Sequence, residues 1–498
     1  MDYISTRGNF SPVKSSEAII LGMVPKGGLF VCEKFPSIDV MELKGKTYQE
    51  IAFAVMKGFL TGSDIEFTEE EIVGFIQNAY NEKKFSSPDI CPLKVLSDNL
   101  SILELWHGPT AAFKDVALQI MPYFLVGAMK KLKYNREVVI LVATSGDTGK
   151  AALEGYKDVD GTKIIVFFPQ DGVSEIQKLQ MTTTDGKNTF VVGVNGNFDD
   201  CQNMVKEIFG DKEYRDFLLS KGFDLSSANS INWGRLLPQI VYYFWGYLKL
   251  IEAKMIYFGD EINICVPTGN FGNILAAYYA KIMGLPVKKF ICASNSNNVL
   301  SDFIGSGVYN KNRKFFKTVS PSMDILISSN LERFLFELSG RNPHKIVRWY
   351  NDLKSKGEFK IDETTKGRMQ SVMYGDFATE EETLKEIKNV YEKYGYLLDT
   401  HSAVGVCVYR KYVEKFSDYT PAIVCSTASP YKFNNAVYFA ITGKESKDEF
   451  FTLNELYRIT GFPVPENLQI LKSLPVKHNI TIKKNEGKEI INKILNLE

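Results

Sequence analysis

At 498 residues, with 45% hydrophobic and 24% charged side chains, the chain has the make-up of an ordinary globular protein of two or three domains. Lys plus Arg and Asp plus Glu both number 59, so no net field steers it to nucleic acid or anionic lipid. The start, "MDYISTRGNF", has no apolar signal core, and the greasiest stretch, residues 236–251, is broken by Gln239, Gly246 and Lys249, so no membrane span and a cytoplasmic location are expected.

In chain order, residues 1–95 read as a small helix-rich domain. "TYQEIAFAVMKGFL" and "TEEEIVGFIQNAY" are both amphipathic at the helical period, and Thr68 with Glu71 forms a capping-box pattern. Next comes "LELWHGPTAAFKDVALQ", which sets Lys114 in an apolar frame beside Asp115. A buried lysine costs several kcal/mol unless its charge is paired or removed. The plain alternative is a helix-start lysine snorkelling to water.

From residue 137 a rhythm of β-branched run, Gly- or Ser-rich turn and helical pattern begins. "EVVILVATSGDTGKAALEGY", "KIIVFFPQDGVSEIQKLQM", "NTFVVGVNGNFDDCQNMVKEIF" and "INICVPTGNFGNILAAYYAKIMG" are four such units, and "KKFICASN" and "TPAIVCSTAS" read as further buried strands. Continuous apolar strands alternating with helices argue for parallel sheets covered on both faces. Residues 300–415 read as a charged, helix-rich insertion before the last strand, and the Lys-rich tail as a surface helix with a solvated face.

Three turns carry chemistry. "TGNFGN", residues 268–273, follows a strand and opens a helix, so converging backbone N–H groups suit a phosphate dianion; a tight turn without a ligand is the bland reading. "ATSGDTGKAA" offers Thr144, Ser145 and Thr148 at another helix start, more hydroxyls than one cap requires. Neither turn is a nucleotide fingerprint: the first lacks G-x-G-x-x-G, and the second has too few residues between its glycines and Ala151 in place of the P-loop hydroxyl. "SANSINWGRLLPQ" adds Asn229, Ser230 and Arg235, suited to an oxyanion. Seven scattered cysteines and four histidines without ligand spacing argue for reduced core thiols and no metal. An aldehyde cofactor would explain Lys114 by condensing with its amine, with a phosphate held by "TGNFGN".

Taken together, "YISTRG", "HGPTAAFKD", "ATSGDTGKAAL", "NSINWGR", "VPTGNFGNILA", "SPSMDI", "DTHSAVG" and "STASPYKF", in that order, resemble the threonine synthase family across residues 1–435. That resemblance implies pyridoxal 5'-phosphate as cofactor and fold type II. The fold would be α/β, with two open, mostly parallel sheet subdomains and a helix-rich N-terminal domain. Residues 1–95 would be that N-terminal domain, 96–440 the catalytic domain, and 441–498 an extension packing on it. It further implies that Lys114 forms the imine and that Gly269, Asn270, Phe271, Gly272 and Asn273 cup the cofactor phosphate. Asp147 would stand by the ring hydroxyl and Thr427 by the pyridine nitrogen. Thr148, Asn229, Ser230 and Arg235 would hold the substrate phosphate, and Ser145 the α-carboxylate. Many relatives carry a histidine where Ser429 stands.

The implied reaction turns O-phospho-L-homoserine and water into L-threonine and phosphate, the last step of threonine biosynthesis, in a monomer or homodimer. A phospho-lyase giving 2-oxobutyrate, ammonia and phosphate is the alternative on the same scaffold. Amino-acid dehydratases and cysteine synthases share the fold but leave Arg235, Asn229 and Ser230 unexplained. A non-catalytic metabolite-binding α/β module leaves Lys114 unexplained.

Overall fold

The apolar runs become buried strands in two separate sheets, and the chemistry-bearing turns fall at the carboxyl ends of those strands. The computed structural model describes residues 1–144, 146–170 and 173–497. The smaller sheet runs in the order Ile480–Lys483, Thr189–Asn195, Thr162–Pro169, Glu137–Ala143 and Phe223–Ser226, all parallel. The larger runs Met373–Phe377, Val287–Ser294, Ile262–Pro267, Ala422–Ser426, Leu100–Glu104 and Leu93–Ser97. Only its last pair is antiparallel. Strands such as Ile262–Pro267 are buried at every residue, as parallel strands covered on both faces must be.

The N-terminal region combines helices with a three-stranded antiparallel sheet of Asp2–Ser5, Val13–Lys14 and Phe30–Cys32. Helices Tyr48–Leu60 and Glu69–Ala79 both start with a capping box, Thr47 with Glu50 and Thr68 with Glu71. Their apolar faces, including Ile51, Val55, Phe59, Ile72 and Ile76, are buried. The rings of Tyr3 and Phe59 lie 5.3 and 5.6 Å from Trp233, on the almost wholly buried helix Trp233–Glu252. Polar docking adds register: Thr6 Oγ1 and the Arg7 guanidinium both donate to Glu332, at 2.6 and 2.8 Å.

One region differs from the expectation. Residues 300–415 are not all an insertion: Met373–Phe377 is the edge strand of the larger sheet, and the helix Thr400–Phe416 packs against that sheet. An edge strand is half-exposed, so "MYGDF" lacks the apolar run that marks its neighbours. The Lys-rich tail forms the expected surface helix, Gly487–Leu495, which exposes Lys488 and Lys493 and buries Ile490, Ile491 and Leu495, and the strand Ile480–Lys483 precedes it. Among the described residues no helix is long and apolar enough to cross a membrane.

Candidate active site

Lys114 is held where the central strand of the larger sheet ends. An antiparallel bridge joins Ala112 to Ala428, and the Phe113 N–H donates to the Thr427 carbonyl at 2.8 Å. These bonds stitch the loop before the helix Lys114–Leu118 to the end of Ala422–Ser426 and bring Lys114 beside Thr427. The turn itself is closed by Asp115, fully buried, which accepts from the Thr110 N–H and Oγ1 at 2.8 and 2.7 Å. Burial pushes the Asp115 carboxyl up to about 6 despite the Thr110 hydrogen bonds. Ser429 is also fully buried, and its Oγ caps the short turn Pro430–Phe433.

Asp147, at the start of the helix Asp147–Tyr156, is the hub. Its Oδ1 receives Lys432 Nζ at 2.7 Å and Gln177 Nε2 at 3.1 Å, and its Oδ2 receives Lys114 Nζ and Ser322 Oγ, both at 3.5 Å. Burial alone would raise the Asp147 pKa, but the Lys432 and Lys114 charges overrule it and hold the carboxyl well below its usual range. Lys114 moves down from the ordinary lysine value, chiefly by desolvation; Asp147 opposes the shift, and Lys432 and Arg235 add to it. Behind them the Ser322 N–H donates to His401 Nε2 at 3.1 Å, so Nδ1 carries the ring proton and donates to Asp399 at 2.8 Å.

Two anion-suited loops flank this hub. Residue Phe271 takes a left-handed φ of 64° to start the helix Gly272–Ile282, and its ring is buried 5.2 Å from Phe334. Residues 269–273 therefore offer backbone N–H groups of a helix first turn rather than the Phe271 side chain. A Cβ on Gly269 would stand 2.8 Å from the Ser322 carbonyl, so the close approach demands glycine. Asn273 Oδ1 accepts from Tyr242 at 2.6 Å and from Tyr243, while its buried Nδ2 has no partner among the described residues. Asn270 is exposed, with its carbonyl accepting from the Asn330 N–H at 3.0 Å.

The second loop leads into Trp233–Glu252. Arg235 is buried, donates Nη1 to the Ala228 carbonyl at 2.6 Å, and leaves Nε without a partner among the described residues. Burial pushes its pKa down to about 10, and among the described residues no carboxylate pairs with it. Asn229 is exposed, and its Oδ1 accepts from the Ile231 N–H at 3.3 Å and Ser230 Oγ at 3.4 Å. Thr148 is half-buried one residue beyond Asp147; Ser145 lies outside the described residues. Asn330 ties the two loops together, donating Nδ2 to the Ser230 carbonyl at 3.3 Å. Buried Arg333 holds Asn330 and the carbonyls of Ile231 and Phe30.

Sequence reasoning singled out Lys114, Asp147 and Arg235, which come together, but assigned no role to Lys432, Gln177, Ser322 or Asn330. Lys432 carried the same signal as Lys114, a lysine in an apolar, turn-forming frame ("STASPYKF"). The donor set fits a phosphorylated aldehyde plus a second anion. Lys114 is a desolvated amine, the 269–273 turn is a backbone cradle, and the polar atoms Arg235 Nε and Asn273 Nδ2 await acceptors. Among the described residues no cluster of His, Cys, Asp and Glu is arranged to hold a metal.

Comparison with known proteins agrees along most of the chain. "Threonine synthase N terminus" matches residues 2–80, "Pyridoxal-phosphate dependent enzyme" residues 92–348, and "Threonine synthase, C-terminal" residues 402–487. The human protein "Threonine synthase-like 1" is 40% identical over 95% of this chain, which spans 63% of that relative's length. "Threonine synthase" of Schizosaccharomyces pombe is 36% identical, covering 95% of this chain and 97% of its own. The crystal structure of PLP-bound threonine synthase from Brucella melitensis superposes with a TM-score of 0.88 at 37% identity, covering 99% of both chains. With these three family segments and a relative 36% identical over nearly all of both chains, the chain belongs to the threonine synthase family of pyridoxal-phosphate-dependent enzymes.

Proposed function

We propose that this chain converts O-phospho-L-homoserine and water to L-threonine and inorganic phosphate. The observation that carries the reading is Arg235: a buried guanidinium with no carboxylate partner among the described residues, close enough to Lys114 to lower its pKa. A dehydratase or cysteine synthase acting on a smaller leaving group gains nothing from such a cation. Bound pyridoxal phosphate supplies an electron sink for negative charge developing on the substrate carbons.

Lys114 would be the residue that joins the cofactor aldehyde, residues 269–273 would hold its phosphate, and Asp147 and Thr427 would stand by its ring hydroxyl and ring nitrogen. The free Lys114 amine would be the base for the Cα proton, because desolvation favours its neutral form. Arg235, with Thr148, Asn229 and Ser230, holds the γ-phosphate and stabilises the dianion as its bond to carbon breaks. Ser145 and its neighbours take the α-carboxylate. A Cβ proton would leave as the γ-phosphate departs, and a proton would be added at Cγ to form the methyl group. Water would then add at Cβ, its second proton being released, and a proton would return to Cα from the Lys114 ammonium.

Incubating the purified protein with O-phospho-L-homoserine and identifying the products tests this. Threonine and phosphate in equal amounts are expected. Oxobutyrate and ammonia as main products would replace the reading with a phospho-lyase, and no phosphate release would sink both.

A further inference from the structure

Lys432 stands out because two lysines contend for one carboxylate. Its side chain is fully buried, its Nζ lies 2.7 Å from Asp147 Oδ1, and it donates to the Thr110 carbonyl at 2.8 Å. Lys114 reaches the same carboxylate only at 3.5 Å, through Oδ2. A buried ammonium with one charged and one neutral acceptor is stable only while Asp147 stays ionised. The geometry points to Lys432 as a positioning residue: by holding Asp147 as its own counter-ion it denies Lys114 a close anion and keeps the Lys114 amine neutral and reactive. This rests on the assignment of Lys114 as the cofactor lysine proposed above.

The surroundings support the direction of the effect. Around Lys114 and its partner stand Asp147 from one helix, Lys432 from the turn Pro430–Phe433, Arg235 from Trp233–Glu252, His401 from Thr400–Phe416 and Asp115 on the lysine's own helix. Gln177 and Ser322 complete the shell of Asp147 without charge. Removing the Lys432 charge frees Oδ1 and removes a repelling cation, and both changes favour the Lys114 ammonium. Removing the Asp147 charge does the opposite. A lysine that merely anchored its turn to Thr110 would affect stability without shifting the protonation of Lys114.

Cofactor loading reads that protonation directly: the neutral amine joins the aldehyde carbon and one water leaves, so the rate follows the neutral fraction. The test takes the full-length chain stripped of cofactor and follows regain of the visible band after adding pyridoxal phosphate, as a function of pH. Cooperative thermal melting serves as a folding check. Lys432→Met is expected to move the half-maximal pH up by about one unit or more, on the order of tenfold slower loading near neutrality. Lys432→Arg, which keeps the charge, should stay close to the unaltered chain. Asp147→Asn should move the midpoint down.

An unshifted Lys432→Met profile in a cooperatively melting protein overturns the inference, as do shifts of the same sign in Lys432→Met and Asp147→Asn. Should Lys432→Met fail to fold, the Asp147→Asn shift decides, and an unchanged or upward midpoint overturns it. A Lys114→Ala chain that still gains a borohydride-reducible band refutes the lysine assignment itself and the inference with it. The two Lys432 variants bear on Lys432 alone.

Discussion

Arg235 and Asp115 show how single side chains divide the labour of the site. Among the described residues Arg235 donates once, to Ala228, and leaves Nε without a partner, so its removal touches the leaving group more than the cofactor. Arg235→Ala is expected to acquire the visible cofactor band normally while losing about 100-fold or more of kcat toward the phosphorylated substrate. Absorbance and steady-state kinetics check the two halves separately. Asp115 instead shapes the turn that presents Lys114, and burial raises its carboxyl to about 6. A raised carboxyl binds its proton more tightly folded than unfolded, so its ionisation lowers stability as pH rises from about 4 through about 6. Asp115→Asn does not titrate and should therefore gain stability relative to the unaltered chain as pH rises through that window. Denaturant unfolding at a series of pH values checks the sign; a difference independent of pH would refute it.

Between elements, contact is set by absent side chains as much as by present ones. A Cβ on Gly155 would stand 2.1 Å from the Leu118 carbonyl, so the helix Asp147–Tyr156 rests its backbone directly on the helix that begins with Lys114. Gly155→Ala must pry these helices apart, separating Asp147 from Lys114. It is expected to cost about 1–3 kcal/mol and to weaken cofactor retention, measured as a fall in Tm and in cofactor content after dialysis. At this scale the sequence was most readable. Fully buried parallel strands are unbroken apolar runs, and the capping box at Thr68 marks a helix start. Met373–Phe377 and Ile480–Lys483 escaped because edge strands bury one face or less. The partners of Asp147 escaped for another reason: Gln177, Ser322 and Lys432 arrive from three distant segments, and no local pattern reports a meeting in space.

For the molecule as a whole, residues beyond 440 belong to the frame of the site. Glu449 accepts the Ile176 N–H at 2.8 Å at the start of the helix carrying Gln177, and Asn467 donates to the carbonyls of Pro109 and Gly108 at 2.7 and 3.2 Å. Leu453, Leu456, Leu468 and Leu471 are buried beneath them. Asn467→Ala is expected to lower stability by about 1–2 kcal/mol, and a chain ended at residue 440 to melt without a cooperative transition and to retain no cofactor. Calorimetry and absorbance check both; a truncated chain with a normal melt would show that the segment is dispensable.

The strand order also governs how the chain must assemble as it is made. Ala422–Ser426 lies between Leu100–Glu104 and Ile262–Pro267, so the larger sheet stays in two halves until that late strand emerges from the ribosome. At typical synthesis rates of about 5–20 residues per second, the apolar strands already made wait on the order of ten seconds for the partner that joins them. A nascent chain of this family thus passes through an interval in which its most aggregation-prone edges are bare, and chaperone demand should peak there.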